Sequence, residues 1–201
     1  MDFELDADQR AFQDAARAFA ASEMAPYAAE WDAKCVFPRA TLAHAGELGF
    51  CGLYASEASG GLGLSRLAAS IVIEELAAAC PSTAAYLAIH NMATWMITAF
   101  ARPEIVAAWG PTLTRGTRLA SYCLTEPEAG SDAASLRSTA RRDGDHYVID
   151  GSKAFISGAG ATDALVVMAR TGGDGAAGVH YGRKEEKLGW NRQPSFSSLR
   201  P

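Results

Sequence analysis

The segment that decides the fold is Tyr122-Cys123-Leu124-Thr125-Glu126-Pro127-Glu128-Ala129-Gly130-Ser131-Asp132. It begins with a short apolar run and then turns through Pro127 and Gly130, a pattern typical of a strand that ends in a loop. Pro127 fixes one backbone angle, whereas Gly130 is predicted to allow a positive φ or a close approach of the main chain. The hydroxyls of Thr125 and Ser131 flank this turn. Hydroxyls and main-chain amides in such a turn are able to hold a polar ligand or phosphate oxygens.

A second motif, Lys153-Ala154-Phe155-Ile156-Ser157-Gly158, follows later in the chain. Taken alone, such a turn more often has hydroxyls that bond only to their own backbone. Together with Asp150-Gly151-Ser152, however, the two motifs resemble the flavin-binding signature of the acyl-CoA dehydrogenase family. The loop Gly60-Gly61-Leu62-Gly63 and the helices predicted before it are similar to the N-terminal domain of that family, so the resemblance covers nearly the whole chain.

Hydrophobic periodicity predicts helices in the first part of the chain. Asp6 and Gln9 resemble a capping box that starts an amphipathic helix over residues 7–30, which Pro26 bends or splits. Pro38 starts a second helix, which Gly49 ends. Three more helices are predicted: one from near Ser65, one capped by Ser82 and running to Phe100, and one from Pro103 to about Gly110.

Strand and turn signals follow Arg118. Asp143-Gly144 lies between two strand-like runs and predicts a hairpin, and Asp150-Gly151 predicts a second turn before a strand that ends at Phe155. Residues 164–169 predict a short buried strand. The fold class is therefore α+β, with an all-helical N-terminal domain over residues 1–118 and an antiparallel β-domain over residues 119–201 that is incomplete at its C-terminal end.

The composition restricts the possible partners and location. The chain has 201 residues, a net charge of −5, 49% hydrophobic and 20% charged residues, which is typical of a globular protein with no nucleic-acid partner. No dense Lys/Arg block indicates a membrane surface, and His90 and Asn91 interrupt the one long apolar run, so we expect a buried core helix there. The acidic start, Met1 to Asp6, differs from a secretory signal or a transit peptide, so we expect a cytoplasmic protein.

Other possible sites have ordinary interpretations. The four cysteines show no metal-ligand spacing, so we expect no metal site and interpret them as free thiols or small buried hydrophobes. His90 is more simply a hydrogen-bonded core histidine than a group near an acyl pocket. Glu74 and Glu75 point in different directions around a helix, which favours a solvated edge over a partner contact. The glycines from Gly60 to Gly63 favour an interhelical connection over a phosphate loop.

The resemblance implies FAD as cofactor and assigns roles to individual residues. Thr125 would meet the pyrimidine edge of the flavin, Phe155 would pack on its ring system, and Ser157 would lie near flavin N5. Ser131 would lie near the pyrophosphate of FAD and the pantetheine arm of the substrate. The full set of cofactor-binding residues implied in this way is Tyr122, Cys123, Leu124, Thr125, Gly130, Ser131, Phe155, Ile156 and Ser157.

The same resemblance implies α,β-dehydrogenation of an acyl-CoA thioester. A carboxylate base would remove the α-proton, the β-hydrogen would pass as hydride to FAD, and an electron-transferring flavoprotein would accept the electrons. The family also implies a homo-tetramer. Several segments are most similar to the branch that oxidises isobutyryl-CoA, a short branched thioester; these are residues 122–125, 155–158, Ile89-His90-Asn91-Met92, Leu188-Gly189-Trp190-Asn191 and Gln193-Pro194.

The chain also departs from the family pattern. Members are nearly twice as long, and their base comes from a C-terminal helical domain, so no carboxylate among Glu126, Glu128, Asp132 and Asp150 is assigned as the base. An expected apolar strand after Val179 is replaced by a polar segment, and the tail 195–201 replaces another strand. We therefore expect a truncated chain that is inactive alone. The alternatives are an inactive product that acts only as a binding or interaction module, and an acyl-CoA oxidase or flavin monooxygenase relative of the same fold.

Overall fold

The computed structural model describes residues 4–144 and 146–171, and the backbone of Ala177–Arg183. The chain divides into two compact units, Met1–Thr117 and Arg118–Pro201. The motif at 188–194 and the tail at 195–201 lie outside the described residues.

The first unit is built from helices. In the part of this unit that the structure describes, the α-helices are α1 (Ala7–Phe19), α2 (Ala28–Ala33), α3 (Arg39–Glu47), α4 (Arg66–Ala79), α5 (Pro81–Phe100) and α6 (Pro103–Thr114). The capping box at α1 is confirmed, because the Asp6 carboxylate accepts from Gln9 N at 2.8 Å and Asp6 N donates to Gln9 Oε1 at 3.1 Å. The predicted helix over 7–30 is split by a π-helical turn, Ala20–Met24, and by Pro26.

Two predicted helix boundaries are wrong. Ser82 does not cap α5, because the helix already begins at Pro81, whose missing N–H costs nothing in the first turn. The last helix does not stop at Gly110 but continues through Pro111 to Thr114. Burial of Trp109 and Leu113 on this helix outweighs the hydrogen bond that Pro111 removes, and the helix ends before Gly116, which has a φ of 68°.

Helix α5 is the core of this unit and carries buried polar side chains. His90 is fully buried, with Nε2 3.1 Å from Leu113 O, as expected for a hydrogen-bonded core histidine. Asn91 accepts from Leu53 N at 2.6 Å and donates to Phe50 O at 2.7 Å, so α5 fixes the chain that follows α3. Within the described residues, no helix has the length and apolarity needed to cross a bilayer.

Three other predictions have clear outcomes. The glycine-rich loop is an interhelical connection that folds back on the chain after α3, since Gly63 N donates to Ala55 O at 2.8 Å. Glu75 is not merely a solvated edge, because its carboxylate pairs with Arg17 Nη2 at 2.7 Å and ties α4 to α1. Cys35 is exposed, whereas the other three cysteines are buried, and all four are free thiols.

The second unit contains a small mixed sheet. Its strands are β1 (Ala120–Cys123), β2 (Thr139–Asp143), β3 (His146–Asp150), β4 (Ala164–Arg170) and β5 (Ala177–Arg183). The apolar strand β4 lies at the centre, where it pairs in parallel with β1 and with the start of β2, and antiparallel with β5 along its whole length. The hairpin of β2 and β3 is confirmed. The helical domain followed by a β-domain is likewise as predicted, but the sheet is mixed rather than antiparallel.

Three sequence expectations about this sheet need correction. Phe155 ends no strand but lies in a loop, and Gly130 has no positive φ and leaves open space where a Cβ would be. By contrast, Gly151 is required, because a Cβ there would lie 2.3 Å from Ser138 Oγ. The backbone of 177–183, where a strand was expected to be missing, forms β5 and covers one edge of β4.

Candidate functional site

The segment after β1 and the segment around Lys153 are joined by a buried ion pair. Lys153 Nζ lies 2.7 Å from Glu126 Oε1, and the two side chains are only 5% and 6% exposed. The same Nζ donates to Leu124 O at 2.9 Å, and Ala154 N donates to Thr125 O at 2.9 Å. These contacts bring the two sequence motifs together, although they lie far apart in the chain.

Glu126 also anchors the start of β2. Its carboxylate accepts from Arg137 N at 2.6 Å and from Ser138 N at 2.9 Å. Burial by itself would raise the pKa of Glu126, but the hydrogen bonds from Lys153 and from the two amides outweigh it and lower the pKa to about 2. Glu126 is therefore ionised at neutral pH and fully engaged, so it is no free base.

The turn between β1 and the loop is closed by its own main chain. Glu126 N donates to Ala129 O at 3.0 Å, and Ala129 N donates to Glu126 O at 3.2 Å. Beyond the turn, Gly130 and Ser131 are exposed, and the Asp132 carboxylate accepts from the Ser135 hydroxyl. Arg170 stabilises this loop from β4, because its guanidinium donates to Leu136 O at 2.7 Å.

A buried hydroxyl of β1 anchors the main chain of the second motif. Ser121 Oγ donates to Ser157 O at 2.6 Å and lies 3.0 Å from Thr162 Oγ1. Since Ser121 belongs to β1 and is fully buried, this contact fixes the Ser157 main chain against the sheet. The Ser157 residue itself is exposed.

Phe155 has the features of a residue that contacts a ligand. Its φ is 57°, in the left-handed region, and its side chain is 94% exposed. A non-glycine residue in that region costs about 1–2 kcal/mol of backbone strain. A ring that is exposed to water gains almost no packing energy to offset this strain. Strain of this kind persists where the neighbouring structure enforces it, as Lys153 and Ser157 do here, and it is concentrated at functional sites.

The other predicted cofactor-binding residues differ in how far their side chains are buried. Tyr122, Leu124 and Thr125 are half-buried, and burial raises the pKa of the Tyr122 phenol. The Cys123 side chain is 1% exposed and packs in an apolar cluster that Ile156 also joins, and burial raises the pKa of the Cys123 thiol to about 12. Cys123 therefore has only its main chain to offer a cofactor, whereas the side chain of Ile156 is half-buried.

The described carboxylates near the two motifs are engaged or lie at the surface. Glu128 is exposed and pairs with Arg137 at 2.5 Å, whereas Asp150 is exposed at the end of β3. The ion pair of Lys153 with Glu126 was not predicted from the sequence. A lysine and a glutamate within two apolar, turn-rich motifs were the only available signal, and it does not show that the two side chains are buried together.

Similarity to known proteins agrees with this architecture. Residues 6–117 match the acyl-CoA dehydrogenase N-terminal domain, and residues 121–198 match the acyl-CoA dehydrogenase middle domain. The chain belongs to the acyl-CoA dehydrogenase family. The family resemblance inferred from the two motifs is thus confirmed, and with it membership of a family of oxidoreductases.

Individual acyl-CoA dehydrogenases give the degree of similarity. Mitochondrial isobutyryl-CoA dehydrogenase of Bos taurus is 50% identical over an aligned length of 203, and the alignment covers 95% of this chain and 49% of the relative. The structure of glutaryl-coenzyme A dehydrogenase with glutaryl-CoA is 32% identical, with a TM-score of 0.85, and the match covers 91% of this chain and 48% of that one. Glutaryl-CoA dehydrogenase from Mycobacterium smegmatis with FADH2 is 25% identical, with a TM-score of 0.84, and 90% of this chain and 46% of that one are covered. This acyl-CoA dehydrogenase chain spans about half the length of the curated relatives it matches.

Proposed function

We propose that this chain supplies the flavin-binding half of an acyl-CoA dehydrogenase that acts on a short branched thioester such as isobutyryl-CoA. The observation that carries the proposal is the exposed, strained Phe155, held beside the Thr125 main chain by the ion pair of Lys153 with Glu126. The 50% identity to isobutyryl-CoA dehydrogenase supports the choice of substrate.

The residues present fit a flavin cofactor. A flavin has a planar apolar ring with a polar edge and a charged pyrophosphate, and the loops offer an aromatic ring at Phe155 with hydroxyls at Thr125, Ser131 and Ser157. Phe155 would pack on the ring, Thr125 would bond its polar edge, and Ser131 would bond phosphate oxygens. When bound, FAD supplies the two-electron oxidation of the thioester.

The part played by this chain is to orient the reactants. The Ser121 hydroxyl fixes the main chain of Ser157, and Lys153 fixes that of Leu124, so the loops are set before a ligand arrives. No described carboxylate is assigned to abstract the α-proton. We propose that this base lies in the part of the relatives' length that the chain does not span, and that a homo-oligomer and an electron-transferring flavoprotein complete the system.

A direct test compares FAD binding by the 201-residue chain and two variants, Phe155→Ala and Tyr147→Ala. Tyr147 is a half-exposed aromatic residue on β3 and provides the control. We expect weak FAD binding by the wild type, about tenfold weaker binding by Phe155→Ala, as for loss of one aromatic contact, and little change for Tyr147→Ala. A folded wild-type chain that binds no FAD at millimolar concentration, or equal effects of the two substitutions, would contradict the proposal.

The alternatives predict different outcomes. An acyl-CoA oxidase would form peroxide directly from dioxygen during turnover, whereas a dehydrogenase would pass electrons to a flavoprotein acceptor. A chain that serves only as an interaction module would fold normally and show no affinity for FAD.

A further inference from the structure

The ion pair of Lys153 with Glu126 has no role among those that the family resemblance implies. Both side chains are almost completely buried, at 5% and 6% exposed. Removing two charges from water costs several kcal/mol, and well-packed apolar residues in their place are often equally stabilising or more so. Stability alone is therefore a poor explanation for a buried pair at this position.

What the pair contacts indicates a different role. Lys153 Nζ donates to Glu126 Oε1 at 2.7 Å and to Leu124 O at 2.9 Å, so one ammonium group holds both the end of β1 and the following turn. The Glu126 carboxylate holds the start of β2 through the amides of Arg137 and Ser138. All of these partners are main-chain groups or the pair itself, which means that the contacts fix backbone positions.

These contacts join the two motifs at the end of β1, beside the bond from Ser121 to Ser157 O and the packing of Ile156 near Cys123. Ala154 follows Lys153 directly and donates to Thr125 O at 2.9 Å, and the strained Phe155 comes next. An apolar side chain of similar length at 153 would leave Leu124 O without the Lys153 donor and the buried Glu126 carboxylate without its cationic partner. The chain near 124–125 would then move relative to the loop at 155–157.

We propose that Lys153 and Glu126 are positioning residues of the flavin site, which set the spacing between the Leu124–Thr125 main chain and the Phe155–Ser157 loop. This proposal rests on the proposed function as far as the ligand is concerned. The spacing of the two segments does not depend on it.

The test uses the full 201-residue chain with Lys153→Met, Glu126→Gln, the double variant, and Asp163→Ala as control. Asp163 accepts from Leu119 N at 2.8 Å at the opposite end of β1, so its loss weakens the same unit away from the two motifs. Two quantities are measured well below the unfolding temperature: the hydrogen-exchange rate of the Ala154 amide and the dissociation constant for FAD.

We expect Lys153→Met to raise the exchange rate of the Ala154 amide and to weaken FAD binding about tenfold or more, the effect of losing well-placed hydrogen bonds. Glu126→Gln should act in the same direction. The change in FAD affinity and in the Ala154 exchange rate should be smaller in the double variant than the sum of the changes in the single variants. The reason is that the double variant leaves neither charge unpaired. Asp163→Ala should change neither quantity, even where it lowers the free energy of unfolding.

Two results overturn the positioning role. One is an unchanged Ala154 exchange rate and FAD affinity in Lys153→Met, and the other is an equal change in Asp163→Ala, which would mean that general stability is the cause. A wild-type chain without measurable FAD binding contradicts the proposed function and the flavin part of this proposal. Hydrogen exchange then still decides whether the pair sets the spacing of the two segments.

Discussion

At the scale of single residues, Glu126 makes the free energy of unfolding depend on pH in the acid range. Its pKa falls from an ordinary 4.5 to about 2 in the folded protein, since hydrogen bonds outweigh burial. A carboxyl whose pKa is lower in the folded state stabilises the protein above its unfolded pKa, and this contribution is lost as the pH falls through the folded value. The relevant window is therefore between pH 4.5 and about 2.

The prediction concerns Glu126→Gln and is tested by urea unfolding at a series of pH values. At pH 7 the variant should be less stable by about 3 kcal/mol or more, because it leaves the buried Lys153 ammonium unpaired. The difference from wild type should shrink as the pH falls from 4.5 towards 2. A difference that stays constant over this range would contradict the assigned role of the Glu126 charge.

Phe155 allows a second prediction, in which stability and binding change in opposite directions. Phe155→Gly relieves a left-handed backbone at φ 57° and removes a ring that is 94% exposed. The free energy of unfolding without ligand should rise by about 0.5–1 kcal/mol, the strain relieved less the greater freedom of glycine in the unfolded chain. FAD titration should show weaker binding by the same variant. A clear loss of stability would mean that the ring packs against the protein.

At the scale of elements, α5 holds the chain after α3 through one side chain. Asn91 bonds to Leu53 N and Phe50 O, both in the core. Asn91→Ala leaves these two groups unpaired and should lower the free energy of unfolding by roughly 3 kcal/mol. Thr98→Ala on the same helix is the control, because its hydroxyl bonds only to carbonyls of its own helix, and it should cost less than about 1 kcal/mol. Equal losses in chemical denaturation would contradict this view of Asn91.

The sequence predicted those elements whose signals are local. The capping box at Asp6, the break near Pro26 and the hairpin at Gly144 depend on neighbouring residues and are present in the structure. The parallel pairing of β1 with β4 was missed because it joins residues 44 positions apart, such as Ala120 and Ala164, and no turn signal specifies it. Tertiary packing is also the reason why α6 continues through Pro111, although its end was predicted near Gly110.

The candidate site shows the same limit. The motifs identify the residues, but the burial of Lys153 with Glu126 depends on a contact between residues 27 positions apart. Phe155 lies in a loop whose flanking residues Lys153 and Ser157 are held by contacts distant in sequence, whereas residue type alone predicted a strand there. The roles of the nine predicted cofactor-binding residues remain predictions.

At the scale of the whole molecule, the chain carries two domains of an acyl-CoA dehydrogenase over about half the length of its relatives. Positioned loops bind and orient, but general-base catalysis contributes about 10²–10⁴-fold and needs a carboxylate that no described residue is assigned to supply. We therefore predict little or no acyl-CoA desaturation by the 201-residue chain alone. Fusion to the part of the bovine relative that this chain does not match should complete the enzyme.

The most direct test of flavin-dependent dehydrogenation is the visible absorbance of FAD during anaerobic titration with isobutyryl-CoA. The chain alone and the fusion protein are titrated in parallel, with the fusion carrying Lys153→Met as a variant of the site. We predict that the fusion retains FAD and bleaches on addition of substrate, that the Lys153→Met fusion retains less FAD, and that the chain alone bleaches little. A folded fusion that binds no FAD, or that binds FAD without bleaching, would contradict the account.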